Sequence, residues 1–394
     1  MKTAARSSVW HIAQHLGIAL ICGVLVGMLG AFVFGNDPAV TVIETSTSSA
    51  PLTSSTSSGD VPEEPAIEGA PEDELPIVVP ADEPDPKPVV APTVGDSISI
   101  EECSALLAAN PFYADPVRQV ARIERDYRTS RPSDAALLRH IACYPAAVWL
   151  SGRSIAETKA TVDRVLSEAA QSGKIVVFAT YNNPSHDSAH WFSLPEGGDY
   201  RLWVEAVSET IGNRRAWVIL EADALPMSAA YSLDERQRRI ADIRSAVLAF
   251  KAHAPNTRVY IDIGHNKWLS VAEAATLLTQ AGVADAYGFS LNVSNYQKTA
   301  DVRAYGEAIS ARVSGKEFII DTARNGNGPS PDDEWCNAPG RALGTPSQMV
   351  TDGSHLSAMM WVKPPGESDG TCNGGPTPGV FWLQYALGLV NKGM

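Results

Sequence analysis

The stretch WVILEAD, residues 217–223, decides how this chain is read. Four apolar residues, with no alternation of polar and apolar positions, run straight into two acids. Such a run is too short for a buried helix and reads as a strand covered on both faces. Five further runs are built the same way: VVFATY (176–181), VYIDIGH (259–265), GFSLNVSN (288–295), FIIDTARN (318–325) and MMWVKPPGESD (359–369). Each has a carboxylate or amide in its C-terminal part or just beyond: Asp187, Asp223, Asp262, Asn292 with Asn295, Asp321 and Asp369. Helical patterns separate most of the runs, so strand and helix alternate, as in a parallel sheet. In barrels of that kind the chemistry sits at the C-terminal strand ends. Five carboxylates and two amides on one rim suit acid–base work on a neutral, polar substrate.

Working outward, AAVWLSG (146–152) reads as the first strand, followed by a helix from about Ser154 to Gln171. Helices are expected over Tyr200–Ile211 and Leu233–Ala252, the latter with the charged run DERQRR towards solvent. Another is expected after Ser270, with Glu273 completing a capping box. A closing helix is expected over 379–392. The fold class expected is α/β, a distorted seven-stranded parallel β/α barrel in a single catalytic domain over 98–394. About 300 residues suffice for one such core.

The rest of the chain is different. Residues 1–36 carry Lys2 and Arg6 ahead of an apolar run from Leu16 to Phe34, long enough to span a bilayer at about 1.5 Å per residue. Two readings stay open: an uncleaved anchor over 12–35 with the remainder outside, or a cleaved signal peptide ending near Gly30 and Ala31. Cys22 is a poor lipoprotein site because Ile21 precedes it where a small residue should. Residues 37–97 are rich in Pro, Ser, Thr and acids and have no aromatic residue, so they read as a disordered linker. Thirteen acids against Lys87 give this linker a net charge of −12, out of −14 for the whole chain. The domain is thus nearly neutral, and without a basic patch nucleic acid is not an expected partner. Membrane contact is expected only through the N-terminal segment, and the location extracellular or at the cell surface. A monomer is expected.

The domain holds four cysteines, Cys103, Cys143, Cys336 and Cys372. An even number in an exported domain argues for disulfides. No close C-x-x-C pair and no histidine at ligand spacing supports a metal site.

LEADAL (220–225), YIDIGHNKWL (260–269), GFSLNVSNY (288–296), FIIDTARNG (318–326), WCN (335–337) and WVKPPGESDGT (361–371) occur in one order. Together with NPFYADP (110–116) they resemble glycoside hydrolase family 6, the inverting cellulases. The resemblance implies an endo-β-1,4-glucanase acting on β-1,4-glucan, needing no cofactor. It implies Asp223 as general acid, consistent with burial at the end of an apolar run. Glu221, two residues earlier, is expected on the same face, holding Asp223 by repulsion or a bridging hydrogen bond. The resemblance further implies Asp187 as a second carboxylate steadying the transition state, Tyr181 beside the distorted sugar and Ser193 holding the catalytic water. Asp369 matches the general base, unless the proton leaves through a water chain; its plain alternative is a salt bridge to Lys363. Asp262 is either a structural or a catalytic neighbour of the acid. Trp149, Trp268 and Trp335 match sugar-stacking positions, where an aromatic face meets the C–H face of a pyranose. His265, Asn292, Asn295, Lys363 and Glu367 are expected to bind hydroxyls. Asn292 also heads an N-V-S sequon, but its place on the rim favours sugar binding. The resemblance implies a Cys336–Cys372 disulfide, with Cys103–Cys143 as an additional pair. Ala222, Ser188 and His186 depart from the pattern, which keeps open a glucan-binding surface protein with weakened or lost catalysis. The segments after Asp187 and after Asp369 are short, which suits an open cleft and internal cleavage.

Overall fold

In a computed structural model of the protein, which describes residues 98–183 and 199–391, each apolar run is a strand of one sheet. The parallel strands are β1 (Val148–Leu150), β2 (Val176–Thr180), β3 (Ala216–Leu220), β4 (Thr257–Asp262), β5 (Gly288–Leu291) and β6 (Glu317–Asp321). A two-residue β7 (Gln348–Met349) precedes β8 (Leu356–Met360). The order is β1-β2-β3-β4-β5-β6-β8-β7. Seven strands are parallel; β7 runs antiparallel at the edge of β8, one strand more than expected. Two residues carry too little pattern to be read as a strand.

The strands are buried on both faces, and their side chains divide by parity. Val177, Ala179, Trp217, Ile219, Tyr260, Ile319, Ala358 and Met360 fill the inside of the curled sheet. Val176, Phe178, Val218, Leu220, Ile261, Phe289 and Ile320 face the helices. No β1–β8 ladder closes the sheet. The seam is held instead by Ala147 N–H donating to Trp361 O (2.9 Å) and Trp149 Nε1 donating to Val362 O (2.8 Å). Ser347 Oγ bridges it, accepting from Trp361 N–H and donating to Pro145 O, both at 2.8 Å.

Ahead of the sheet come α1 (Ile100–Ala109), α2 (Gln119–Ser130) and α3 (Pro132–Ala142). The crossover helices are α4 (Ile155–Gln171), α5 (Tyr200–Ile211), a short α6 (Ala224–Met227) with α7 (Leu233–His253), α8 (Val271–Gln280) and α9 (Thr299–Ser310). Complete capping boxes start four of these helices: Ser99/Glu102, Ser154/Glu157, Ser232/Glu235 and Ser270/Glu273. The closing helix α10 is Leu383–Val390, shorter than 379–392 because residues ahead of Leu383 pair back with the loop after β8. Cys103–Cys143 ties α1 to the end of α3, and Cys336–Cys372 ties the loop after β6 to the loop after β8. The expected segments 1–36 and 37–97 lie outside the described residues. Among the described residues no helix is long and apolar enough to cross a membrane.

Candidate active site

β3 ends at Leu220, and the backbone then turns sharply. Glu221 and Asp223 both take positive φ, 50° and 67°. The strand alternation that would put both on one face therefore stops before them. Glu221 is fully buried and reaches back to the exit of β2, accepting from Asn182 N–H (2.8 Å) and Asn183 N–H (3.0 Å). Asp223 turns the other way and is half-buried, and its N–H donates to Asp262 Oδ2 at 2.9 Å. The expectation that Glu221 holds Asp223 by repulsion or a bridging hydrogen bond is thus corrected: the two side chains turn apart, and the carboxylate against the Asp223 backbone is that of Asp262. Met227 N–H bonds to the Asp223 backbone carbonyl, so the side chain does not cap α6.

Burial pushes the Asp223 carboxyl up to about 7, with the charge of Asp369 adding and Lys363 opposing. Asp262 is fully buried and raised well above the usual carboxylate range, by burial and then by Asp223. It also accepts from Gly264 N–H (3.3 Å) and Ser290 Oγ (3.0 Å). The charge of Asp223 disfavours ionisation of Asp262, so the pair favours a retained proton.

Asp369 is treated oppositely. It lies in the loop after β8, with side-chain exposure of 5%. Arg324 donates to its Oδ2 at 2.7 Å, Asn337 N–H at 2.9 Å, and Lys363 Nζ stands 3.3 Å from Oδ1. Burial alone would raise its pKa; Arg324 and Lys363 together outweigh that and hold it below the usual value. The salt bridge to Lys363 exists and is the lesser of two. Arg324 is itself fixed by Ser294 O (2.6 Å) and lies over the Tyr296 ring, 4.7 Å from its centroid. Neither Arg324 nor Asn337 was singled out from the sequence. The signal available was their place in FIIDTARNG and WCN, but Arg324 and Asp369 are 45 positions apart.

Asp321 and Asn292 do not open onto the cleft. Asp321 is buried and accepts from the N–H groups of Ser294, Ala323, Val362 and Lys363, at 2.9 to 3.3 Å. It clamps the exits of β5, β6 and β8, and burial raises it to about 6 against those amides. Asn292, fully buried with φ 65°, donates to Asp321 O (2.8 Å) and accepts from Gln297 N–H (3.1 Å). Its side chain is enclosed by its own loop, so the expected hydroxyl contact is corrected; the same enclosure removes the sequon from reach. Asn295 is half-buried and donates to Val293 O at 3.2 Å.

The three tryptophans expected to stack on sugars remain accessible. Trp149 is half-buried, with Tyr181 at 5.8 Å between ring centroids and Lys363 Nζ 5.7 Å from its ring. Trp268 and Trp335 are 38% and 44% exposed. Trp268 stands over Gly264, whose φ is 73°; a Cβ there would lie 2.9 Å from the Trp268 ring. His265 is half-buried, 5.7 Å from Trp268. Lys363, nearly buried, donates to Ser368 O at 3.1 Å. Glu367 accepts from Gln119 Nε2 at 3.1 Å, and burial pushes it up to about 7. Asp187 and Ser193 lie outside the described residues, as do His186 and Ser188. Among the described residues no group of three or more His, Cys, Asp or Glu could hold a metal ion.

The family of the chain is shown by its likeness to known proteins. The model of the glycosyl hydrolases family 6 matches residues 104–393. Endoglucanase A of Cellulomonas fimi is 41% identical over 283 residues, 71% of this chain and 61% of that protein. Endoglucanase A of Thermobispora bispora is 36% identical over 281 residues, 69% of this chain and 60% of that one. The chain therefore spans about three fifths of the length of these two relatives. The endoglucanase Cel6 of Mycobacterium tuberculosis, solved with methyl-cellobiosyl-4-deoxy-4-thio-β-D-cellobioside, is 40% identical with a TM-score of 0.67. That match covers 73% of this chain and 98% of the other. With the family model covering nearly all of the described barrel, the chain belongs to glycosyl hydrolase family 6.

Proposed function

We propose that this protein is an inverting endo-β-1,4-glucanase. The observation that carries the reading is a pair of aspartates in mutual electrostatic reach, Asp223 raised to about 7 and Asp369 held ionised. Hydrolysis with inversion needs one carboxyl that still has its proton, to protonate the leaving oxygen. It needs a second group that takes a proton from water on the opposite face of the ring. Asp223 serves as the acid. Asp369 serves as the base, directly or through water. Asp262 holds the Asp223 backbone, and burial with the charge of Asp369 keeps the acid protonated. Tyr181 and Trp149 flank the reacting sugar, while Trp268 and Trp335 stack on sugars further along the chain. Lys363, Glu367, His265 and Asn295 supply polar contacts, and Asp187 and Ser193 serve as the second carboxylate and the water holder.

Internal cleavage is supported by the loop after β8. Ser368 N–H donates to Val380 O, Gly379 N–H returns to Ser368 O, and Cys336–Cys372 pins the loop against the body. A loop held this close leaves the cleft unroofed on that side. The relatives named endoglucanase point the same way. The alternative, a glucan binder without catalysis, draws no support from the described residues; Ala222 packs inside the barrel with Ile219 and Tyr260. Export is part of the proposal, with the chain either tethered through its apolar N-terminal run or released after cleavage. β-1,4-glucan is the proposed partner and a monomer the working state.

The test joins stereochemistry to cleavage mode. Proton NMR of early cello-oligosaccharide products should show the α-anomer first. The viscosity of a soluble substituted cellulose should drop before much reducing sugar appears. The β-anomer first would sink the mechanism; steady cellobiose release at constant viscosity would sink the endo mode.

A further inference from the structure

Glu367 carries one of the proposed polar contacts to sugar, yet the group that holds its carboxylate comes from ahead of the barrel strands. Gln119, the first residue of α2, donates from Nε2 to Glu367 Oε1 at 3.1 Å, across 248 positions of sequence. The same Nε2 donates to Gly379 O at 2.8 Å, and Gln119 Oε1 accepts from Phe381 N–H at 3.0 Å. Phe381 N–H can only donate and Gly379 O can only accept, so the amide has one orientation, with its NH2 towards Glu367. The partners of Gln119 form one unit. Glu367 bridges to Phe381, Ser368 N–H donates to Val380 O, Gly379 N–H to Ser368 O and Trp382 N–H to Gly366 O. These bonds make a short antiparallel ribbon of 366–368 and 379–382, and Gln119 is bonded to both of its strands.

We infer that Gln119 is a positioning residue for substrate binding: from outside the sheet it fixes the Glu367 carboxylate in the orientation in which that group meets a sugar hydroxyl. The inference rests on the reading of Glu367 as a sugar contact. Burial pushes Glu367 up to about 7, and Lys363 and then the Gln119 amide oppose it. Lys363 faces Glu367 from the exit of β8. Arg118 at the start of α2 and Tyr144 after α3 line the same small cavity as Gln119 and Glu367, and the Arg118 guanidinium donates to Ala142 O. A neutral amide suits the task. It donates to the carboxylate without cancelling its charge, as a lysine or arginine in its place would, so the remaining lone pairs stay strong acceptors for hydroxyls. Asp369, two residues further on, is held separately by Arg324, Asn337 and Lys363. Loss of Gln119 should therefore reach binding and leave the chemistry largely in place.

The test uses the full chain carrying Gln119→Leu, Gln119→Glu or Glu367→Gln. Gln119→Leu keeps the bulk and removes all three bonds. Its KM for cello-oligosaccharides at pH 7 should rise on the order of tenfold, the scale of one hydrogen bond to a charged group, with kcat little changed. Carbon-13 NMR of labelled glutamate, with the Glu367 resonance identified by its loss in Glu367→Gln, reads the carboxyl itself. Its titration midpoint should lie near 7 in wild type and higher in Gln119→Leu, because a donor to the charged form is gone. Gln119→Glu keeps the acceptor for Phe381 N–H but sets a second carboxylate against Glu367, so KM at pH 7 should rise and the midpoint move further up. On the Glu367→Gln background, adding Gln119→Leu should change KM much less than it does alone. A midpoint that stays in place in both Gln119 variants overturns the inference, and a lowered melting temperature beside it reduces Gln119 to a structural residue. A moved midpoint with unchanged KM, where Glu367→Gln does raise KM, overturns the positioning role. Unchanged KM in Glu367→Gln as well removes the sugar contact given to Glu367, a failure of that reading and not of the Gln119 clamp. A fall in kcat with unchanged KM would mean that Gln119 acts through Asp369, and overturns the inference too. Should Gln119→Leu fail to fold, Gln119→Glu decides alone by the same two readouts.

Discussion

The turn after β3 and the loop after β8 carry the same residue type with opposite results. Among the described residues no cation lies within hydrogen-bond reach of Asp223, which bonds through its backbone N–H to Asp262 and is raised to about 7. Asp369 is just as enclosed but has Arg324 and Lys363 against it, and is held low. Burial acts on both in the same direction, so the partners decide which one keeps its proton. Two identical side chains become an acid and a base because Arg324 and Lys363 outweigh burial at Asp369, whereas at Asp223 burial and the charge of Asp369 outweigh Lys363.

The largest test removes the proton donor. Asp223→Asn should lower kcat on unactivated β-1,4-glucan by on the order of 10²–10⁴, measured as reducing sugar, while oligosaccharide binding persists. Substrates with a good leaving group should suffer less, since they need no proton. Wild-type turnover of cellulose by this variant would remove Asp223 from the role.

The Asp369 side can be weakened covalently or electrostatically. Replacing Cys336 and Cys372 together by Ser opens a loop closed across 36 positions. Chain entropy puts the loss at about 3–4 kcal/mol, read by denaturant unfolding. Activity should fall too, because the loop carries Asp369. Asp369→Asn leaves Arg324 and Lys363 buried without their carboxylate and should destabilise by about 3 kcal/mol near neutral pH. The sign of its pH dependence is set by the lowered pKa. A carboxylate depressed in the folded state stabilises fully above its unfolded value and loses that contribution as pH falls through the folded value. The deficit of Asp369→Asn against wild type should therefore be complete at neutral pH and shrink below about pH 4. A deficit that grew on acidification would mean Asp369 is not held ionised.

The smallest effect probes the cation between the two aspartates. With Asp223 raised to about 7 the wild-type kcat–pH profile should have its alkaline limb there, and because Lys363 lowers Asp223, Lys363→Met should move that limb upward. An alkaline limb that stays in place would assign it to a group other than Asp223.

Much of this was legible from residue order. Runs such as AWVIL and FII have no polar break, and a strand buried on both faces permits none; the parallel sheet follows. Tyr200–Ile211 and the serine–glutamate boxes are local signals, satisfied within a few residues, and so helix starts read well. The even cysteine count and the ordered motifs led to the two disulfides and the family. What could not be read depends on backbone direction after the strands stop. Alternation put Glu221 and Asp223 on one face, but two left-handed residues turned them apart, and positive φ at non-glycine positions is held only by tertiary contacts. Asn292 looked like a rim ligand because it ends a strand; its loop folds over it. The Arg324–Asp369 pair and the seam at Ala147 and Trp361 join positions far apart in the chain, and the two-residue β7 carries too little pattern to read. The sequence by itself determined which segments are strands and which acids lie at their ends, since local pattern and burial suffice for that. Which of those acids keeps its proton was decided by the tertiary structure alone, because electrostatics depends on distance in space.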